Sequence, residues 1–218
     1  MYIIAFLGSP RRGGNTEILL KEAIKGTGAD VELFDLAKLK IKPCRHCGKC
    51  ENTGQCVIKD DMVKVADAIR KADRIMLGSP VFFSGVSAQA KAMIDRCQQF
   101  WCEKYLLKKP VGPGKFGRKG LFIAVGGQKK EEGIKCSGAT ASAFFRTISV
   151  PDYKTLGYTG VDSKGEILKH PTALTEAFEL GLCLLKLLLL QFEHRLLIVD
   201  RGLVAFDLAL ELIRNRLA

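Results

Sequence analysis

Five apolar runs alternate with segments of helical periodicity along this chain of 218 residues, and that alternation leaves few possible folds. Several of the runs are apolar at nearly every position, as is typical of strands that are covered on both faces. Strands that alternate with helices form parallel βαβ units. We therefore predict an α/β fold in which helices cover both faces of one parallel sheet. The predicted strands are residues 2–8, 31–36, 74–80, 120–127 and 153–161.

Helical patterns fill most of the segments between these strands. Apolar side chains in residues 61–72 recur three and four positions apart, which places them on one face of a helix. Ser87 is a favourable N-cap residue for the helix that follows it. The segment 108–120 is rich in lysine, proline and glycine, so we predict a solvated connector there. The predicted helices are residues 16–26, 61–72, 87–103, 138–149 and 171–190.

Charge and apolar content argue against several kinds of protein. The longest apolar stretch, residues 180–190, is too short for a membrane span and contains Lys186. The first residues lack the basic region of a signal peptide. Although the net charge is +11, the chain shows no helix-turn-helix motif, which argues against a DNA-binding regulator. We expect a cytoplasmic protein that binds neither membranes nor nucleic acid, and in that compartment thiols stay reduced.

The loop after the first predicted strand, GSPRRGGNT at residues 8–16, carries groups that bind phosphate. It offers hydroxyls, an amide and a guanidinium just before a helix N-terminus, where free backbone N–H groups attract anions. The loop lacks the lysine of a nucleoside-triphosphate P-loop and the spacing of a G-x-G-x-x-G motif. A tight turn is the simpler alternative, but the combination favours a phosphate site. The candidate residues are Ser9, Arg11, Asn15 and Thr16.

Two further loops follow the third and fourth predicted strands and reach the same edge of the sheet. The first has an apolar face and backbone amides on which a flat heteroaromatic ring could lie, although burial in the core is the alternative for its phenylalanines. The second has two glycines that permit close approach, and an amide for a ring edge. The candidates are Pro80, Val81, Phe82, Phe83, Ser84 and Gly85 in the first loop, and Gly126, Gly127 and Gln128 in the second.

Four cysteines lie within thirteen residues at the spacing C-x2-C-x2-C-x5-C. Bacterial ferredoxins space their first three ligands in this way, and Gly48 and Gly54 permit the tight curl that aims the sulfurs inward. A [4Fe–4S] cluster is therefore our first interpretation, with zinc or empty thiols as the alternatives. The candidate ligands are Cys44, Cys47, Cys50 and Cys56. The other cysteines share no spacing and are interpreted as ordinary: Cys97, Cys102, Cys136 and Cys183.

Taken together, the three loops resemble the FMN-binding loops of the NADPH-dependent FMN reductase family. With the cysteine segment between them, residues 1 to about 190 resemble the iron–sulfur flavoprotein branch of that family. The resemblance implies a flavodoxin-like three-layer sandwich with strand order 2-1-3-4-5 and bound FMN. It also implies a [4Fe–4S] cluster, absent from some aerobic preparations, that meets the flavin across the interface of a homodimer or homotetramer.

By position, the resemblance implies a role for each candidate residue. The phosphate of FMN would be held by Ser9, Arg11, Asn15 and Thr16. The flavin ring would face Pro80, Val81, Phe82, Phe83, Ser84 and Gly85, and at its far side would lie Gly126, Gly127 and Gln128. No side chain is expected to act as a catalytic acid, base or nucleophile, because the flavin supplies the chemistry.

This organisation predicts one FMN-binding domain at residues 1–190, with the cysteine loop at 43–57, followed by a C-terminal helical extension at 191–218. Residues 203–217 place apolar side chains on one stripe of a predicted helix. Because such a stripe must be buried, we expect it to pack on a neighbouring subunit rather than on its own domain.

The expected function is electron transfer through FMN and the cluster, from a ferredoxin-like protein to a small-molecule acceptor. The positive net charge suits an acidic ferredoxin. The alternative is an NAD(P)H-dependent FMN or quinone reductase in which the cysteine loop is structural or binds zinc. In that case NAD(P)H is the reductant, and the lysines that would bind its phosphates are Lys129, Lys130 and Lys135.

Overall fold

A five-stranded parallel sheet forms the centre of the computed structural model, which describes residues 1–185. Its strands follow the order β2-β1-β3-β4-β5, and every neighbouring pair is parallel. The predicted flavodoxin-like α/β fold is therefore confirmed, and each predicted strand overlaps an observed one. The strands are β1 (Ile3–Leu7), β2 (Val31–Asp35), β3 (Arg74–Pro80), β4 (Lys119–Val125) and β5 (Asp152–Tyr158).

The predicted helices lie close to their predicted positions, with two differences; the short helix Cys50–Thr53 was not predicted, and the predicted end of the last helix at residue 190 lies outside the described residues. The predicted helix at 87–103 is broken at Cys97 and then continues as a π-helical turn, Cys102–Leu106. The predicted helix at 138–149 begins at Glu132, because the glycines and serine of its first two turns concealed its start. The helices are α1 (Asn15–Thr27), α2 (Cys50–Thr53), α3 (Met62–Lys71), α4 (Ala88–Arg96), α5 (Gln98–Trp101), α6 (Glu132–Thr147) and α7 (Ala173–Leu185).

Alternate side chains of the central strands enter two separate cores, one on each face of the sheet. On one face Phe6, Leu77 and Phe122 pack against α3, α4, α5 and α6. On the other face Met76 and Ile123 pack against α1 and α7. Both faces are apolar, which explains why the strands read as continuous hydrophobic runs.

Two glycines bring α1 and α7 together on the second face. A Cβ at Gly26 would overlap the backbone of Phe178, and a Cβ at Gly181 would overlap the backbone of Ala23. Each glycine therefore lies where the other helix's backbone approaches most closely. The predicted stripe at 203–217 and the extension at 191–218 lie outside the described residues, so both stay predictions. Within residues 1–185, no helix is both long and apolar enough to cross a bilayer.

Candidate functional site

The loops after β1, β3 and β4 meet at the carboxyl ends of the strands, as predicted. The backbone N–H of Gly8 donates to the carbonyl of Gly78 at 2.7 Å, and the buried Ser87 hydroxyl donates to the carbonyl of Gly8 at 2.6 Å. The backbone N–H of Val81 donates to the carbonyl of Val125 at 2.8 Å. Three chain segments that are distant in sequence thus form one continuous edge.

The predicted phosphate loop, residues 8–16, leads directly into the N-terminus of α1. Gly14 is the N-cap residue and supplies no capping side chain, so the first turn keeps backbone N–H groups without an intrahelical partner. The Gly13 N–H donates to a Glu17 carboxylate oxygen at 2.7 Å. Ser9 and Thr16 are buried beside this turn. The loop has the backbone donors that an anion site needs, and one of them is already used by Glu17.

The loop after β5 also belongs to this edge, which the sequence analysis missed. The side-chain amide of Asn15 donates to the carbonyl of Ser163 at 2.9 Å, and its oxygen accepts from the Ile167 N–H at 3.3 Å. Arg11 donates to the carbonyl of Asp162 at 2.8 Å. Both polar atoms of Asn15 therefore hold the two loops together. These bonds give Asn15 a positioning role, and its predicted phosphate contact stays a prediction.

Lys164 places a cation beside the phosphate loop. A Cβ at Gly13 would lie 3.6 Å from the Lys164 ammonium nitrogen. The signal in the sequence was GVDSKG at residues 160–165, directly after the fifth strand, where a loop reaches the same edge of the sheet. Together with Arg11, this lysine makes the edge positive where an anion would lie.

The loop after β3 forms a tight turn whose aromatic side chains face solvent. Phe82 and Gly85 exchange two backbone hydrogen bonds of 2.9 Å. At the tip, Phe83 and Ser84 have φ angles of 47° and 60°, the left-handed pair of a two-residue hairpin turn. The Phe83 ring is fully exposed and that of Phe82 is about half exposed. The alternative of core burial is wrong for both rings, which are free to contact a ligand or another chain.

The remaining predicted ring-facing residues have structural contacts of their own. Pro80 ends β3. The Val81 side chain packs against Gly126, where an added Cβ would lie 3.2 Å from the Val81 Cβ atom. A Cβ at Gly127 would lie 2.9 Å from the Asp162 side chain, so only glycine fits between the two loops. Gln128 is exposed at the end of this segment. Of these side chains, that of Gln128 is exposed, whereas Pro80 and Val81 are half-buried.

Arg96 fastens both ends of the cysteine loop. Its side chain, 1% exposed, donates to the carbonyls of Lys42 at 2.8 Å and Ile58 at 3.0 Å, on either side of residues 44–56. It also makes a bidentate pair with the buried Asp60, at 2.7 and 3.1 Å. Burial raises the pKa of Asp60, but the bonds from Arg96 and from two backbone N–H groups outweigh it and lower that pKa.

All four predicted ligands line one depression, together with Arg96, Gln98 and Gln99. His46, Gly48 and Gly54 have positive φ angles, which give the loop its curl. Within residues 1–185, no three His, Cys, Asp or Glu side chains approach closely enough to hold a single metal ion. In a four-iron cluster each thiolate binds a different iron, whereas one zinc ion gathers all four thiolates, and both groups stay alternatives for these thiols.

Two further observations concern the chemistry of this depression. The Nε atom of Arg96 is buried and has no hydrogen-bond partner among the described residues. A free guanidinium donor at the wall suits the negative charge that thiolate ligands bring. Burial, aided by a contact with Cys102, raises the pKa of Cys50 to about 12.

Comparison with known proteins identifies relatives of this chain. The family model for NADPH-dependent FMN reductase matches residues 1–152. An iron–sulfur flavoprotein of Methanocaldococcus jannaschii is 42% identical over 99 residues, which are 44% of this chain and 51% of that protein. An iron–sulfur flavoprotein of Archaeoglobus fulgidus is 38% identical over 130 residues, 58% of this chain and 63% of that protein. The matches thus span between half and two thirds of these relatives.

Solved structures agree on the fold. The NAD(P)H:quinone oxidoreductase from Methanothermobacter marburgensis superposes with a TM-score of 0.60 at 16% identity, over 84% of this chain and 98% of that one. An FMN-dependent NADH-azoreductase from Bacillus anthracis, in complex with FMN, gives a TM-score of 0.59 at 14% identity, over 83% and 97% of the two chains. At these identities the likeness shows a shared architecture alone.

Proposed function

The chain belongs to the NADPH-dependent FMN reductase family, and we propose that it is an oxidoreductase of the iron–sulfur flavoprotein branch that carries electrons through FMN and a [4Fe–4S] cluster. The observation that carries this proposal is the convergence of three loops and the α1 N-terminus at one edge of the sheet. The cysteine loop adds four thiols in one depression. FMN exchanges two electrons as a hydride or one at a time, whereas a cluster exchanges single electrons.

The phosphate of FMN would be bound by the backbone N–H groups of residues 8–16, by the hydroxyls of Ser9 and Thr16, and by the side chain of Arg11. Arg11 already donates to Asp162, but a guanidinium has five N–H donors and keeps some for a phosphate. Lys164 adds a second cation at the same turn. The ring would lie along the loop of residues 80–85, with Gln128 at its far side.

The physiological donor in this proposal is an acidic, ferredoxin-like protein, and the acceptor is a small molecule. A net charge of +11 favours encounter with an acidic partner. The exposed rings of Phe82 and Phe83 suit burial against a second copy of the chain, which would form the expected homodimer or homotetramer.

A second candidate is an NAD(P)H-dependent FMN or quinone reductase in which the cysteine loop is structural or binds zinc. The observation that favours it is a pair of exposed lysines, Lys129 and Lys130, directly after the edge residue Gln128. Lys135 is paired with Glu131 at 3.3 Å and suits this role less well. Anaerobic addition of NADPH distinguishes the candidates, because rapid bleaching of the flavin supports the reductase and slow bleaching supports the protein donor.

The phosphate site is tested by Arg11→Ala combined with Thr16→Val. Loss of a charge-assisted hydrogen bond costs about 1.5–3 kcal/mol, so FMN should dissociate about 10 to 100 times more readily in a fluorescence titration. Riboflavin, which lacks the phosphate, should bind both proteins equally. Arg12→Ala is the matched control, since it removes a cation of the same loop whose side chain pairs with Asp35 and keeps the backbone N–H groups. Unchanged FMN affinity in the double variant would contradict the assignment.

The cluster is tested by anaerobic purification followed by iron and sulfide analysis and low-temperature EPR of the reduced protein. About four irons and four sulfides per chain are expected. Cys47→Ala should lose them, whereas Cys136→Ala, which removes an exposed thiol far along the sequence, should retain them. Stoichiometric zinc, or no metal under these conditions, rejects the cluster and leaves the second candidate.

A further inference from the structure

A fifth cysteine lies against one of the four proposed ligands. The sulfur of Cys102 is 3.6 Å from the sulfur of Cys50, although the two residues are 52 positions apart in the chain. Cys102 is fully buried at the start of the π-helical turn, whereas Cys50 is partly exposed and lines the depression. Such π-helical turns occur frequently at functional sites. No sequence pattern indicates this pairing, because Cys102 shares no spacing with the other four cysteines.

Side chains around the pair hold α2 against the π-helical turn. The aliphatic part of Glu103 lies where a Cβ at Gly54 would be. Gly54 is the C-cap residue of α2, and the absence of a side chain there permits this close approach. Arg70 donates to the Glu103 carboxylate at 2.8 Å and to the carbonyl of Gly54 at 3.5 Å. The contact between the two sulfurs is therefore fixed by the packing of two backbone segments, and not by the rotamer of one exposed side chain.

We propose that Cys50 and Cys102 form an oxidisable thiol pair, a modification site whose oxidant is a small disulfide. The first step follows from exposure, because a small disulfide reaches Cys50 through the depression but cannot reach Cys102. The Cys50 thiolate attacks one sulfur of the oxidant, whose S–S bond breaks and releases one small thiol. The Cys102 thiolate then attacks the Cys50 sulfur, and the second small thiol leaves.

The reaction balances without any further reagent. Two protein thiols lose two electrons and two protons, which convert the S–S bond of the oxidant into two small thiols, while one Cys50–Cys102 bond forms. A disulfide bond is about 2.05 Å long, so the two sulfurs must approach by about 1.5 Å. The neighbouring buried thiol, Cys97, donates to the carbonyl of Met93 at 3.4 Å and takes no part.

The consequence of this modification rests on the proposed function. Cys50 is one of the four proposed cluster ligands, and a disulfide bond removes its thiolate. The oxidised chain would therefore be unable to assemble a complete cluster until a thiol reductant restored Cys50. Conversely, a bound cluster would occupy Cys50 and protect the pair from oxidation. Cys102 would serve as a reversible cap for a ligand that is otherwise open to irreversible oxidation.

The experiment uses the full-length chain, freed of iron by a chelator under reducing, anaerobic conditions. One equivalent of dithiodipyridine is added, the remaining thiols are alkylated after denaturation, and the tryptic peptides are mapped by mass spectrometry. Trypsin leaves Cys50 with Cys56 in one peptide and Cys97 with Cys102 in another, so fragment ions must place the bond. We expect one linkage, between Cys50 and Cys102, and two thiopyridone molecules released per chain.

Two variants serve as matched controls. Cys97→Ser should form the same linkage, because it removes a buried thiol from the same peptide without touching the pair. Cys102→Ser should stop at a mixed disulfide on Cys50 and release one thiopyridone per modified chain. The proposal is overturned if Cys102 is alkylated in the wild-type chain while Cys50 is linked to another cysteine of the cysteine loop or to the reagent.

Cluster assembly provides a separate readout. The oxidised wild-type chain should take up much less iron and sulfide than the reduced chain, and a thiol reductant should restore uptake. If the reduced chain takes up no iron at all, the proposed cluster fails while the mapped linkage still establishes the thiol pair. If the linkage forms and the oxidised chain assembles a full cluster, the proposed role of Cys102 as a cap is refuted.

Discussion

Replacing Arg96 by methionine should destabilise the protein and open the cysteine loop. Methionine matches the length of the arginine stem but removes the guanidinium that joins Lys42, Ile58 and Asp60. The carboxylate of Asp60 would remain buried, with two backbone N–H donors as its only partners among these contacts. The two carbonyls on either side of the cysteine loop would lose their common donor. Both stability and the shape of the proposed ligand site therefore depend on one side chain.

The expected size follows from the burial of the pair. The side chains of Arg96 and Asp60 are 1% and 8% exposed, so solvent does little to screen the charge that is left behind. Removing one partner of such a pair costs about 3–5 kcal/mol, out of a total stability of about 5–15 kcal/mol. For a domain of this size each kcal/mol lowers Tm by about 2–4 °C, so Tm should fall by about 12 °C.

Thermal unfolding followed by circular dichroism measures this change, and iron analysis of the anaerobic protein measures the loop. Lys91→Met is the matched control, because Lys91 lies on the same helix and its pair with Asp95 is exposed, which is worth at most about 1 kcal/mol. We expect Arg96→Met to lose iron while it retains FMN, since the phosphate loop is elsewhere on the edge. A Tm within about 3 °C of the wild type would refute the reasoning.

Four shorter predictions concern other parts of the chain. Lys164→Ala should weaken binding of FMN but not of riboflavin in a fluorescence titration, because the ammonium lies beside Gly13. Gly181→Ala should lower Tm, since overpacking against the α1 backbone costs about 1–3 kcal/mol. The lowered pKa of Asp60 stabilises the fold above about pH 4, and this contribution should disappear in acid-unfolding curves as the pH falls through the folded value. Deletion of residues 196–218 should lower the apparent mass in light scattering, and an unchanged oligomer would contradict the predicted packing.

The fold could be predicted because its signals are periodic and long. Residues 75–77 place apolar side chains on both faces of the sheet, and a run of that kind has few other interpretations. Local exceptions were invisible for physical reasons. The π-helical turn after the break at Cys97 packs against α2, where Glu103 contacts Gly54. The helix α6 starts early although Gly133 has a low helix propensity, and Gly133 packs closely against the Val81 side chain.

The sequence predicted which loops meet at the site, but it predicted less well which side chains contact one another there. Sequence places a loop at the carboxyl end of a strand, and the order of the strands then brings the loops together. Sequence does not show which loop crosses over which, and so the β5 loop with Asp162 and Lys164 was missed. The pairing of Cys50 with Cys102 was missed for the same reason, because it arises from tertiary contact without any regular spacing.

Asn15 shows why a polar residue in a binding motif cannot be assigned from its chemistry alone. Its amide suits a phosphate, but in the structure both polar atoms bond to the loop after β5, at 2.9 and 3.3 Å. A buried amide left without those partners would cost about 1–3 kcal/mol for each unsatisfied group. Asn15 therefore binds the protein itself and fixes the position of the turn before α1, while its predicted phosphate contact stays a prediction. Arg96 has a comparable role, because its guanidinium bonds to the backbone at both ends of the cysteine loop. Contacts within the protein therefore determine the geometry of both loops.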